Sequence, residues 1–211
     1  MKKKFREYTQ PDFSGINKEI LAKWEEENLF AESLRQRTDA PSFIFYEGPP
    51  SANGMPGIHH VIARSLKDIF CRYKTMKGYR VDRRAGWDTH CLPVELGVEK
   101  LLGITKDSIG KTISVAEYNA TCRREVMKYT AEWEQLTKKM GYWVDMDHPY
   151  ITYKNKYIET LWWLLADLHK KGFLYKGYTI QPYSPAAGTG ISTHELNQTG
   201  CYRDVQEKVC T

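Results

Sequence analysis

The sequence predicts an α/β fold in which parallel strands alternate with crossover helices behind an N-terminal helix. Two observations carry that prediction. An apolar strand, Ser42 to Tyr46, feeds a glycine- and proline-rich turn and then an amphipathic helix. A second strand, Tyr79 to Arg84, returns within about forty residues, the spacing of a right-handed βαβ unit.

The elements follow in order. Ile16, Ile20, Leu21, Trp24 and Leu29 recur at helical spacing, so residues 16–30 predict an amphipathic helix. The polar stretch 31–41, ending at Pro41, reads as a connector. After the turn, residues 58–76 predict a helix with Ile58, Val61, Ile62, Leu66, Ile69, Phe70 and Tyr73 on one face, stopped by Gly78. A short helix covers Pro93 to Leu102. Ser114 and Glu117 form a capping box. One apolar stripe then runs through Val115, Tyr118, Val126, Tyr129, Trp133, Leu136 and Met140 to a stop at Gly141. Residues 153–171 predict a further helix, 173–183 one or two strands, and 184–195 a loop. The methionines, tryptophans and tyrosines of these later helices read as core, and Lys154, Lys156, Lys170 and Lys171 as a solvated face.

Length and composition set the outer bounds. The chain has 211 residues, enough for one large domain or a domain with a subdomain, and its 41% hydrophobic and 13% aromatic content excludes a disordered polymer. A net charge of +5 permits contact with nucleic acid without requiring it. Cys71, Cys91, Cys122, Cys201 and Cys210 are scattered with no C-x-x-C pair, which fits reduced thiols better than disulfides or zinc. His194-Glu195 lacks further metal ligands at a usable spacing, so no zinc site is assigned. No segment is long enough to span a membrane, and the chain reads as soluble and cytoplasmic.

Two strand ends carry candidate chemistry. The first leads through Pro50, Ser51, Ala52, Asn53, Gly54, Met55, Pro56, Gly57 and Ile58 to His59 and His60 at a helix start. Glycine and proline let a ligand approach the backbone, and helix-opening amides with imidazoles beside them suit phosphate oxygens. The same residues also fit a surface turn whose histidines cap a helix. The second strand end offers Asp88, His90 and Glu95, where a carboxylate suits an ammonium group. An Asp/Thr turn capping the next helix fits equally well.

Taken together, the motifs have a family likeness. They are Glu47-Gly-Pro-Pro-Ser-Ala-Asn-Gly54, Lys67-Asp68, Arg72-Tyr73, Gly86-Trp-Asp-Thr-His90, Leu92-Pro-Val-Glu95, Gly141-Tyr-Trp-Val-Asp145 and Tyr183-Ser184. From Tyr8-Thr9 to about Asp204 the chain resembles the N-terminal part of the class I aminoacyl-tRNA synthetases, and among them the isoleucyl family. The resemblance implies the first half of a Rossmann-like catalytic domain. It divides the chain into a helical extension and connector (1–41), that half-domain with a helical insertion (42–200), and the start of an inserted editing domain (201–211).

It further implies an amino-acid pocket at Gly48, Pro49 and Asp88, with Asp88 pairing the substrate ammonium. Pro50 to His60 would bind ATP with its Mg²⁺, and His60 and His59 would be the catalytic histidines. Isoleucine, ATP and tRNA(Ile) are the implied partners, with the C-terminal half of the synthetase missing. That absence implies an apolar surface left uncovered where the other half would pack. Two departures stand out. The family pattern His-x-Gly-His falls on Gly57, Ile58, His59 and His60, so its first histidine and its glycine have exchanged places. Cys91 also stands where the family commonly has glycine. The resemblance therefore leaves open a working variant, a binding module without ATP chemistry, or a truncated product.

Overall fold

The computed structural model describes residues 10–206. The chain enters through α1 (Phe13–Glu26), capped by the Asp12 carboxylate accepting from the Gly15 amide at 2.9 Å. The single helix expected over 16–30 ends early. Asn28 takes a left-handed φ of 46°, and a second helix, α2 (Leu29–Arg35), runs into the first part of the expected connector. Glu32 and Arg35 support α2 through two hydrogen bonds of 2.6 and 2.7 Å. Trp24 and Phe30, from the two helices, meet the ring of Trp143 at 5.4 and 6.1 Å.

The expected strand Ser42–Tyr46 is extended but barely paired. It makes one parallel bridge, Ser42 to Arg80, with Phe43 donating to the Arg80 carbonyl at 2.9 Å. Regular pairing begins later than predicted, at β1 (Arg84–Trp87), and its partner is β2 (Asp145–Ile151), a strand the sequence pattern hides. β2 reads Asp-Met-Asp-His-Pro-Tyr-Ile, and aspartate and proline are poor strand formers. The parallel register pairs Arg84 with Asp145 but Gly86 with Tyr150, so an irregularity in β2 absorbs the extra residues, Pro149 among them.

Between the Ser42 bridge and β1 lies α3 (Ile58–Met76), with the bounds the sequence predicted. Its orientation is the reverse of what its apolar stripe suggests. The buried positions are Arg64, Cys71 and Thr75, whereas Ile58, Ile62, Leu66, Ile69, Phe70, Tyr73 and Met76 are 52–76% exposed. The inner face is a charged seam. Asp68 accepts from Arg72 Nε at 2.6 Å and from Arg83 Nη1 at 2.7 Å. Arg72 also donates to the Gly141 carbonyl, and Arg83 to the Trp143 carbonyl at 3.1 Å. Further up the helix, Arg64 donates to Thr137 Oγ1 at 2.7 Å beneath the rings of Trp133 and Tyr142. Burial pulls the Arg64 and Arg83 guanidinium pKa values down, yet both stay protonated.

Beyond β1, α4 (Leu92–Leu102) packs its buried Val94 and Val98 beside α5 (Val115–Val126), which buries Tyr118 and Thr121. Ser114 caps α5, accepting from the Glu117 amide at 3.1 Å. The stripe expected to form one helix up to Met140 is broken, and α6 (Thr130–Lys139) starts afresh after residues 127–129.

After β2 comes α7 (Asn155–Lys170), which has no buried residue; Trp162 and Trp163, expected in the core, are 69% and 68% exposed. Residues 173–182 form no ladder; only Tyr183 of the strands expected there pairs, in a two-residue hairpin of β3 (Tyr183–Ser184) with β4 (Thr189–Gly190). A single turn, α8 (Thr193–Leu196), follows. Residues 1–9 and 207–211, and with them the Tyr8-Thr9 start of the motif likeness and the last part of the expected editing-domain start, lie outside the described residues.

The core cluster is Ala52, Trp87 and Trp133, with Met127, Tyr129 and Ile151 against it, so it sits directly under the glycine/proline turn. Gly86 matters to this arrangement because the Tyr150 ring of the neighbouring strand lies where its Cβ would be. Gly86→Ala is expected to overpack the β1–β2 pair and cost about 1–3 kcal/mol. Thermal unfolding would show it, with part of the loss recovered when Tyr150→Ala is added.

Candidate active site

The turn after Tyr46 has no regular structure of its own; neighbouring elements hold it by alternate carbonyls. Pro50 O accepts from the Asp88 amide at 2.9 Å, just past β1. Ala52 O accepts from the Tyr129 amide at 3.0 Å, and Gly54 O from the indole N–H of Trp133 at 2.9 Å. Within the loop, Ser51 Oγ donates to Asn53 Oδ1 at 2.9 Å and stands 3.5 Å from Cys91 Sγ. Cys91 is the residue before α4, and the four described cysteines are unpaired. Cys210 lies outside the described residues.

Gly57 starts α3 with extended backbone, φ −104° and ψ 173°. Its N–H donates to Nδ1 of His60 at 2.9 Å, so the His60 ring proton sits on Nε2. The next amides, of Ile58 and His59, open the helix without intrahelical acceptors. His60 packs edge-to-face on Trp133 with centroids 4.7 Å apart, and its other neighbour is His59 at 3.8 Å. The His59 ring curls back over the helix start. Its Cε1 and Nδ1 come within 2.8 and 3.0 Å of where a Cβ on Gly57 would stand. An imidazole therefore occupies the space that a side chain at 57 would enter. Burial, and then the positive fields of His59 and Arg64, hold the His60 pKa below the ordinary imidazole value.

At the end of β1, Thr152 gathers the turn. Its hydroxyl lies 3.0 Å from the Thr89 amide, 2.6 Å from the Thr89 hydroxyl and 3.0 Å from His90 Nδ1. The half-buried Asp88 carboxylate accepts from the His90 amide at 3.3 Å. Glu95 turns away toward Lys106, at 3.8 Å. Glu47 anchors the loop from the other side, accepting from Tyr142 Oη at 2.7 Å and from Lys67 Nζ at 3.2 Å. The Lys67 ammonium also reaches Gly48 O at 3.3 Å. Pro49 borders a cavity of about 480 Å³ with Tyr46, Glu47 and Tyr150, and Asp88 is not among its lining residues.

The structure thus brings Pro50–His60 and Asp88 together through the Pro50–Asp88 hydrogen bond. Gly48 and Pro49 sit on the Glu47–Lys67 side of the same turn. Tyr129, Trp133 and Thr152, which hold these residues, were not singled out as site residues from sequence. Trp133 read correctly as core, and no spacing rule reveals that an indole N–H ends on a loop seventy-nine positions away.

Compared with known proteins, residues 19–211 match the family model described as tRNA synthetases class I (I, L, M and V). The chain belongs to that family. This synthetase chain is 74% identical over 210 residues to the isoleucine–tRNA ligase of Porphyromonas gingivalis W83. It is 75% identical over 207 residues to that of Bacteroides fragilis ATCC 25285, and 61% over 196 to that of Cytophaga hutchinsonii. The matches cover 100%, 98% and 93% of the chain but 18% of each relative, so the synthetase chain spans about a fifth of their length. Among solved structures it resembles LeuRS of Agrobacterium radiobacter K84 in a ternary complex with tRNA and LeuAMS. The TM-score is 0.59 at 20% identity, covering 89% of this chain and 21% of that one, a likeness of fold. Among the described residues no helix is long and apolar enough to cross a membrane.

The depressed His60 pKa gives a signed prediction. The fold favours the neutral ring, so this contribution is complete above the unfolded value of about 6.5 and is lost as pH falls through the folded pKa. Protonating Nδ1 would also cancel its bond from Gly57. Thermal midpoints measured between about pH 7.5 and 5 should fall less steeply in His60→Gln than in the parent chain.

Proposed function

We propose that this chain forms the amino-acid- and ATP-binding part of an isoleucine–tRNA ligase, acting in the cytoplasm. The observation that carries the reading is the clamped loop: Pro50–His60 is fixed from three sides and joined to Asp88 by one backbone hydrogen bond. The identity of 74–75% to isoleucine–tRNA ligases supports isoleucine as the substrate.

In this reading Asp88 pairs the isoleucine ammonium, with Gly48 and Pro49 bordering the amino acid. ATP, carrying Mg²⁺ as part of the substrate, lies along Pro50–His60. The isoleucine carboxylate attacks the α-phosphorus, a new P–O bond forms, and the bond to the β-phosphate breaks to release pyrophosphate. His60 offers its Nε2 proton and His59 its ring to the oxygens that gain charge. A ribose hydroxyl of the terminal adenosine of tRNA(Ile) then takes the acyl group and AMP leaves. Most of the rate enhancement comes from holding the reactants in line.

The test is a chimera in which these residues replace the matching 210-residue segment of the P. gingivalis relative. Isoleucine-dependent exchange of labelled pyrophosphate into ATP is expected, and its absence from a folded chimera would sink the reading. Asp88→Asn should raise the KM for isoleucine by about 10- to 100-fold, the cost of one charge-assisted contact.

The exchanged Gly57 and His59 give a separate prediction. Gly57→His should lower exchange, because two imidazoles then compete for one space. Adding His59→Gly should recover most of the loss. A double-mutant cycle on exchange rates measures the coupling, and simple additivity would show that the two positions act independently.

A further inference from the structure

We infer that Trp133, with the backbone break at residues 127–129 before it, is a positioning device for the nucleotide loop. This inference rests on the proposed function above and deepens it.

The break has no cause in the local sequence. Residues 115–139 contain neither glycine nor proline, and their apolar stripe would allow one continuous helix. Continued through this point, the helix would send the Tyr129 amide to the carbonyl of Glu125, four residues back. Instead that amide donates to Ala52 O at 3.0 Å. The local cost is small because Thr130 satisfies a carbonyl at the break, its amide and hydroxyl both donating to Met127 O, at 3.3 and 3.0 Å. One turn further on, Trp133 spends its indole N–H on Gly54 O at 2.9 Å. Its ring is 2% exposed and supports His60 edge-on at 4.7 Å. A single side chain therefore touches the proposed ATP-binding stretch in its middle, at Gly54, and at its helical end, at His60. Any buried indole N–H needs an acceptor; here that acceptor is the carbonyl of the loop itself.

The geometry separates two functions. Trp133 and Tyr129 hold the nucleotide segment, whereas Thr152 and the Pro50–Asp88 bond hold the end of β1, where the amino acid would bind. Loss of the indole donor should therefore weaken ATP use selectively.

The experiment uses the chimera described above. Trp133→Phe keeps a ring and deletes the N–H. The expected result is a KM for ATP raised about 5- to 10-fold, as for one lost hydrogen bond, with the KM for isoleucine within about twofold. Hydrogen–deuterium exchange should quicken at residues 51–57 and stay unchanged in α4. Val81→Ala, a core truncation ahead of β1, serves as the control for general destabilisation. A rise in the KM for ATP no larger than that of Val81→Ala, or an equal rise for both substrates, would overturn the inference. Should the Phe variant fail to fold, the benzothiophene isostere of Trp133 keeps the shape without the N–H and carries the same expectations. If the unmodified chimera shows no pyrophosphate exchange, the proposed function fails, and hydrogen–deuterium exchange alone decides. In that case, unchanged protection of residues 51–57 in Trp133→Phe overturns the positioning role, and selective loss of protection there upholds it.

Discussion

The charged seam beneath α3 is the constraint on which the rest depends. Buried ions are costly unless each is paired, and removing one partner leaves a bare charge inside. Asp68 meets this demand by serving Arg72 and Arg83 together, and those two arginines satisfy the carbonyls of Gly141 and Trp143 where α6 hands over to β2. Glu47, Tyr142 and Arg64 extend the polar interior toward the glycine/proline loop. The seam thus fixes how α3, α6 and β2 meet, and with that the height of the loop above the Trp87–Trp133 core. It also explains why the helix turns its apolar residues outward: one stripe had to face in, and the charged stripe has the partners.

The site inherits its shape from this arrangement. Because the loop is held through its carbonyls at Pro50, Ala52 and Gly54, the Ile58 and His59 amides of the next helix turn remain available to a ligand. Holding a loop by its backbone also spares the site from needing large residues within it. The Asp88 end is set separately by the Thr152 hydroxyl, from the turn just past β2. The loop and the Asp88 end thus have separate supports that meet at one hydrogen bond.

Much of this was legible in the residues. α3 appears where its periodicity places it, and α5 starts where Ser114 places it. The βαβ outline survives in the parallel Ser42–Arg80 bridge around α3. What stayed hidden has tertiary causes. β2 owes its pairing to β1, not to its own strand-poor composition, and the 127–129 break owes its existence to an acceptor at Ala52. The facing of α3 was illegible for another reason: hydrophobic periodicity locates an apolar stripe but does not say which side of a helix the chain itself covers. The same holds for Trp162 and Trp163, whose size suggested a core that the described residues do not build around them. Among the candidate site residues, the loop and Asp88 were visible as motif letters, while their supports were visible only as distances.

The exchanged glycine and histidine at 57 and 59 bear on how such motifs are recognised. The His59 ring folds over Gly57 because a helix start places residues i and i+2 within one side chain's reach. Letter order and spatial order therefore come apart at this point of the backbone. A pattern scan that reads characters in sequence would score the motif as broken. A search that asks where imidazole atoms stand around the first turn would find two, His59 over Gly57 and His60 against Trp133.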